Sequence, residues 1–256
     1  MLLTHGAVAW RSGHRRWCPR SESSCPTSRR SPWPSATLPP SDSPRIWLDT
    51  FTWQLDGQTD MFVNPWGLWW QELTASDICV VDSDARVVRG RWDVTPAIHI
   101  HTELHRVRDD ARVVIHNHPY YVCVLAALSR LPELVHQTGS LYLDDLCLVD
   151  TYDGEIDSPA RAADLAARIG SANVTILANH GVIATGRNLP EAVYRAASIE
   201  RVCKLAHDVM LTGKEPVKMN WSDMAGMQRS LIERAADVYW AGAARMTIKA
   251  DPDVLK

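Results

Sequence analysis

The stretch VTILANHGVIATG, Val174 to Gly186, limits the fold of this chain more than any other segment. Its two apolar halves flank Asn179-His180-Gly181, a pattern that predicts two strands around a tight turn, with Gly181 free to take a positive φ. The turn is also where His180 would project. Other runs read as single elements. ASDICVVD, Ala75 to Asp82, alternates and is rich in β-branched residues, and ARVVIHNH, Ala111 to His118, is a buried-strand run. Leu189 to Gly213 has apolar residues at helical spacing, Pro190 near its start and Gly213 at its end, which predicts an amphipathic helix. Further helices are expected across Ala160 to Ile169 and from about Ile98 to Arg106. Interleaved strands and helices with a hairpin among them favour an α/β sandwich around a largely antiparallel or mixed sheet.

The chain divides unevenly. From Arg11 to Pro44 it mixes Arg, Ser, Pro and Trp with no periodicity. A segment so poor in apolar residues buries too little surface to offset its ordering entropy. Residues 1–45 are therefore read as a disordered or aberrant N-terminal segment, and 46–256 as one domain. With 46% hydrophobic and 22% charged residues, the chain has the composition of an ordinary globular protein. A formal net charge of -3 gives no basic field for nucleic acid or an anionic membrane, so a small-molecule partner is expected. No apolar run reaches the length of a spanning helix, and Met1 to Trp10 lacks signal-peptide character; the expected location is cytoplasmic. Six cysteines without CxxC pairing point to reduced thiols rather than a zinc ribbon or a disulfide framework.

His116 and His118 lie two apart at the end of a predicted strand, so both side chains leave on one face. Two imidazoles placed so can share one ion at roughly 2.0–2.1 Å, and Pro119 ends the strand behind them. His180, on its turn, is the natural third ligand. Three protein nitrogens with an open fourth position form the catalytic zinc pattern, although another divalent transition metal is compatible. A lone HxH also arises by chance in a chain with ten histidines. His101 and His105, at i and i+4 on a predicted helix, make a rival pair without the HExxH arrangement. His136, His207, His5 and His14 read as surface or satisfied core residues.

Asn64-Pro65-Trp66-Gly67, then TASD, then HxxxHRVRDDARVVIHNHP, then ILANHGVIATG resemble the class II aldolase/adducin family in order and spacing, over roughly Ile46 to Met219. That resemblance, closest in kind to zinc-dependent L-fuculose-phosphate aldolases, implies a three-layer α/β/α sandwich, a Zn²⁺ site at His116, His118 and His180, and a homotetramer with sites at subunit interfaces. It also implies a carbon-carbon lyase, of aldolase or decarboxylase type, acting through a metal-stabilised enediolate or enolate on a small hydroxy- or oxo-carbonyl compound. Epimerases, dehydratases and non-catalytic adducin-type assembly modules share the family and remain alternatives.

Departures from the family pattern shape the rest. Sugar-phosphate aldolases carry an acid/base Glu four residues before the helix histidine, itself fifteen before the first metal ligand; here those positions are Ala97, His101 and His116. The serines that hold the substrate phosphate are replaced by Thr95 and Pro96, and Trp66 stands where the phosphate loop has a small hydroxyl residue. Asn64, Gly67 and Thr95 are the substrate-binding candidates that remain. Glu103 is about 240° around the helix from Ala97 and faces away, which leaves His101, Tyr120 and Tyr121 as candidate proton donors. Gln137 stands where those aldolases place an interfacial Tyr. The expected substrate lacks a terminal phosphate, or its phosphate contributes little to recognition.

Overall fold

The computed structural model describes residues 49–256; the segment expected to be disordered or aberrant, 1–45, lies outside the described residues. Eight strands form one sheet: β1 Thr50–Gln54, β2 Met61–Val63, β3 Cys79–Val81, β4 Val87–Arg89, β5 Val113–Asn117, β6 Leu146–Val149, β7 Val174–Leu177 and β8 Val182–Gly186. Their spatial order is β4-β3-β2-β1-β5-β8-β7-β6. Neighbouring strands run antiparallel except β6 and β7, which are parallel, so the sheet is mixed.

Alternation along the strands sends apolar side chains to both faces, and each face is covered by helices. On one, Ile100 and Leu104 of α1 (Ile98–Val107) and Leu165 and Ile169 of α3 (Pro159–Ile169) pack with Val114, Leu177 and Ile183. On the other, α2 (Tyr120–Ala127) and α4 (Leu189–Leu211) bring Val122, Leu125, Ile199 and Val202 against Val174, Ile176, Val182 and Ala184. Each fully buried Leu or Ile contributes about 1.5–3 kcal/mol relative to exposure, so the two clusters fix both helical layers. The result is the expected three-layer α/β/α sandwich. Helices α5 (Trp221–Ser230) and α6 (Ala236–Ala250) follow, joined by a π-helical turn at Leu231–Ala235.

The helix over α4 forms as predicted. Asn188 caps it by accepting from Glu191 N at 2.9 Å, and Pro190 lies in its first turn, where the missing N–H costs nothing. The expected strand Ala75 to Asp82 is shorter. Only Cys79–Val81 is extended, and Ala75–Asp77 is a 3-10 turn because Asp77 Oδ2 accepts from the Thr74 backbone N–H at 3.1 Å and from its hydroxyl at 2.8 Å.

The hairpin also departs from expectation. The positive φ in the turn belongs to Asn179, at 53°, a residue type that tolerates this region. Gly181 is needed for space instead: a Cβ there would lie 2.5 Å from the Asn117 carbonyl oxygen and 2.7 Å from His118 Cδ2. The missing side chain lets the turn close onto the end of β5. That approach brings His180 to His116 and His118.

Candidate metal centre

His116 lies at the end of β5, one residue before the strand's last position, and His118 follows two residues later. The β5–β8 register pairs His116 with Ile183, so the β7–β8 turn ends beside both histidines. The potential ligand atoms of His116, His118 and His180 all lie within 4.8 Å of one another. Nε2 of His116 and Nε2 of His180 are 3.2 Å apart. Tetrahedral coordination at about 2.0–2.1 Å sets neighbouring ligand nitrogens roughly 3.3 Å apart, so this spacing fits one shared ion.

Tautomers follow from the partners. Nδ1 of His116 is 3.1 Å from the Val182 carbonyl oxygen, which only accepts, so Nδ1 carries the proton and Nε2 keeps its lone pair for the site. His116 is 3% exposed, whereas His118 and His180 are partly exposed; the cluster is walled on the His116 side and open on the other. Burial, then the neighbouring His118, His180 and His101, holds His116 well below the usual imidazole range. Burial, then His118, brings His180 down to about 4. Neutral imidazoles are the form that binds metal.

The rival pair does not make a site. His101 is completely enclosed and His105 nearly so, and both turn to one hydroxyl: Thr52 Oγ1 is 2.9 Å from His101 Nδ1 and 2.8 Å from His105 Nε2. Burial, then the neighbouring His105, holds His101 at about 3, and burial holds His105 at about 4. An enclosed neutral imidazole cannot reach a substrate, so His101 is not the proton donor expected from the sequence.

Two expected substrate contacts are also spent elsewhere. Asn64 is buried, with Oδ1 accepting from Phe51 N at 2.7 Å and Nδ2 donating to Asp49 O at 3.2 Å. The Thr95 hydroxyl accepts from Ala97 N at 3.3 Å at the start of α1. Gly67 stays on an exposed loop with φ 87°. Glu103 bonds Arg106 at 2.6 Å, as its helical angle requires. Gln137 is exposed at the start of a 3-10 turn, and no contact among the described residues joins it to the histidines. Tyr120 is 67% exposed, while the Tyr121 hydroxyl accepts from Lys204 Nζ at 3.3 Å.

Two carboxylates near the site escape sequence reasoning. Glu200 of α4 accepts from Tyr121 N at 2.9 Å and Val122 N at 3.1 Å. The N-cap of α2 is Pro119, which has no polar side chain, so the helix that follows the histidines is capped from another element. Burial pushes the Glu200 carboxyl up. Asp49, just before β1, accepts from His118 N at 3.2 Å and lies 3.5 Å from His118 Nδ1. A helix start without its own cap was the only available signal for Glu200, and Asp49 borders a segment without periodicity.

Residues 50–207 match the profile of the Class II Aldolase and Adducin N-terminal domain. An L-fuculose phosphate aldolase of Methanococcus vannielii is 29% identical over 152 residues, covering 59% of this chain and 80% of that protein. An adducin-related protein of Schizosaccharomyces pombe is 32% identical over 149 residues, covering 54% of this chain and 44% of that protein. The crystal structure of an aldolase II superfamily protein from Pseudomonas syringae superposes with a TM-score of 0.72 at 21% identity, over 80% of this chain and 85% of that one. That last likeness bears on the fold alone.

Proposed function

The chain belongs to the class II aldolase and adducin family, and from that premise we propose that it is a metal-dependent carbon-carbon lyase, of aldolase or decarboxylase type, acting on a small hydroxy- or oxo-carbonyl compound. The observation that carries this reading is the convergence of His116, His118 and His180 with ligand atoms within 4.8 Å. These three would hold Zn²⁺ or another divalent transition metal. Bound there, the ion supplies Lewis-acid stabilisation of the negative charge that builds on substrate oxygen as a carbon-carbon bond breaks.

The chain's own residues would do the rest. The Val182 carbonyl fixes the His116 tautomer, and the partly exposed rings of His118 and His180 border the side from which substrate enters. Ala97 offers no carboxylate, so proton donation is assigned to the exposed phenol of Tyr120, two residues beyond His118. Phosphate recognition is weak in this reading. A dianion needs several N–H or hydroxyl donors to replace its hydration. The Thr95 hydroxyl already accepts from Ala97 N, and Pro96 has no N–H to give. The reading includes a homo-oligomer, proposed as a tetramer; exposed Trp66 and Trp69, three residues apart on one loop, are the kind of aromatic side chains that interfaces cover.

The adducin-related relative, together with Ala97, favours one second reading, a non-catalytic assembly module. The test is an activity screen of zinc-loaded protein against matched phosphorylated and unphosphorylated aldol donors and oxo-acids. We expect turnover that a chelator abolishes and zinc restores, with the unphosphorylated member preferred in kcat/KM. A hundredfold preference for the phosphorylated member, about 2.7 kcal/mol, would overturn the account of the pocket. Full zinc occupancy without turnover on any substrate would favour the assembly module.

A further inference from the structure

The three imidazoles have unequal support behind them. His116 donates its Nδ1 proton to Val182 O at 3.1 Å. Nδ1 of His118 faces a charge instead, the carboxylate of Asp49 at 3.5 Å, and the same Oδ1 accepts from the His118 backbone N–H at 3.2 Å. The Asp49 side chain is 16% exposed, so it approaches a ligand ring from inside the protein and not across solvent. Asp49 is itself held. Asn64, buried at the end of β2, spans the entry to β1 with both ends of its amide, donating to Asp49 O and accepting from Phe51 N. Thr50 between them pairs with His116 across the β1–β5 register. One amide thus fixes the backbone from which Asp49 reaches His118.

We propose that Asp49 is the positioning residue for His118: it accepts the Nδ1 proton, so that Nε2 keeps its lone pair and is aimed at the cluster formed with His116 and His180. The assignment rests on the metal site proposed above. A separation of 3.5 Å is at the long limit of a hydrogen bond, and a small rotation of the ring brings Nδ1 onto the carboxylate. An acceptor on the outer nitrogen fixes the tautomer and raises the basicity of the inner one, and losing such a partner typically costs 10–100-fold in metal affinity. Asn64 takes a second role from this geometry. The sequence marks it as a substrate contact, but its bonds make it the clamp that keeps Asp49 in place.

The experiment is zinc affinity by competition with a chromophoric chelator, on wild type, Asp49→Ala, Asp49→Asn and Asn64→Ala, with circular dichroism of each metal-free protein. Asp49→Ala should raise the dissociation constant by roughly 10–100-fold, with smaller rises in Asp49→Asn, which keeps an acceptor, and in Asn64→Ala. A second readout needs no variant. In zinc-loaded wild type, nitrogen-edited proton spectra should show a protected His118 Nδ1–H beside that of His116, and in Asp49→Ala only the His118 signal should vanish. If wild type binds zinc and Asp49→Ala binds it within twofold, the proposal is overturned while the metal site stands. If Asp49→Ala does not fold, the wild-type spectrum decides, and absence of the His118 signal overturns the proposal. A wild type without zinc affinity overturns both.

Discussion

Two histidine clusters lie on the same side of strands β1 and β5 and serve opposite ends. Thr50 and Thr52 of β1 pair with His116 and Val114 of β5, so His116 and the Thr52 hydroxyl leave the sheet on one face. Around His116, outer nitrogens are taken by Val182 O and approached by Asp49, and the inner ones converge toward an open side. Around Thr52, one hydroxyl takes both His101 and His105, donating to one ring and accepting from the other, and the surroundings are sealed. Both clusters begin as histidine pairs at ligand-compatible spacing. What separates them is where the second nitrogen of each ring goes and whether solvent can reach the first.

The strongest way to break this comparison is to remove one imidazole from each cluster. His116→Ala should fall from about one zinc per chain to almost none, because an incomplete nitrogen set no longer closes the coordination shell. His105→Ala should keep its zinc and lose stability instead, through a cavity and the loss of one of the two hydrogen bonds at the Thr52 hydroxyl. Elemental analysis after desalting, with chemical unfolding in parallel, reads both effects. A His105→Ala protein as empty of metal as His116→Ala would mean that the two clusters form one site.

The open cluster was largely legible in the sequence. Period-two alternation places His116 and His118 on one face, and the apolar halves around Asn179-His180-Gly181 predict the turn that delivers His180. Local rules suffice there because each ligand sits at a strand end. The sealed cluster was not legible, because Thr52 lies 49 and 53 residues from its partners and nothing local shows that α1 packs over β1. Asn64 and Thr95 misled for the same reason. A polar residue in a motif reads as free to bind, until tertiary structure shows its amide or hydroxyl occupied by backbone. Asp49 and Glu200 stand 69 and 79 residues from the atoms they contact. The shortened strand at Ala75 is different: Thr74-Ala75-Ser76-Asp77 carries a capping pattern that was present in the sequence and outweighed there by β-branched Ile78, Val80 and Val81.

A smaller effect isolates the sealed cluster by its centre. Thr52→Val keeps the shape of the side chain and removes the hydroxyl, leaving both imidazoles a partner short in a place water does not reach. The expected cost is about 1–3 kcal/mol, read from denaturant unfolding, with zinc content unchanged. Thr52→Ser restores the hydroxyl and should recover most of that loss. If Thr52→Val were as stable as wild type, the hydrogen bonds at the centre of this cluster would contribute nothing, and burial alone would distinguish the two clusters.

The smallest signal is a difference in pH dependence. His101 and His105 are held at about 3 and about 4 in the folded protein, against about 6.5 in an unfolded chain. Between about 6.5 and 4 the unfolded state therefore binds protons that the folded state does not, so stability rises with pH across that window. The contribution of these groups is complete above about 6.5 and is lost as pH falls toward 4 for His105 and toward 3 for His101. In metal-free protein His180, held at about 4, and His116, held low by burial, add to the same slope. The informative quantity is thus the difference between wild type and His105→Gln. Removing His105 should reduce the slope by at most one proton, roughly 1.4 kcal/mol per pH unit, in unfolding series taken from pH 7 to 4.5. Zinc should extend the part that belongs to His116 and His180 to lower pH, because the ion keeps those rings unprotonated in the folded state while the unfolded chain still takes up protons, and leave the His105 difference in place. An equal slope in wild type and His105→Gln would show that His105 takes up its proton without unfolding, and the cluster around Thr52 would be no more sealed than the one it is contrasted with.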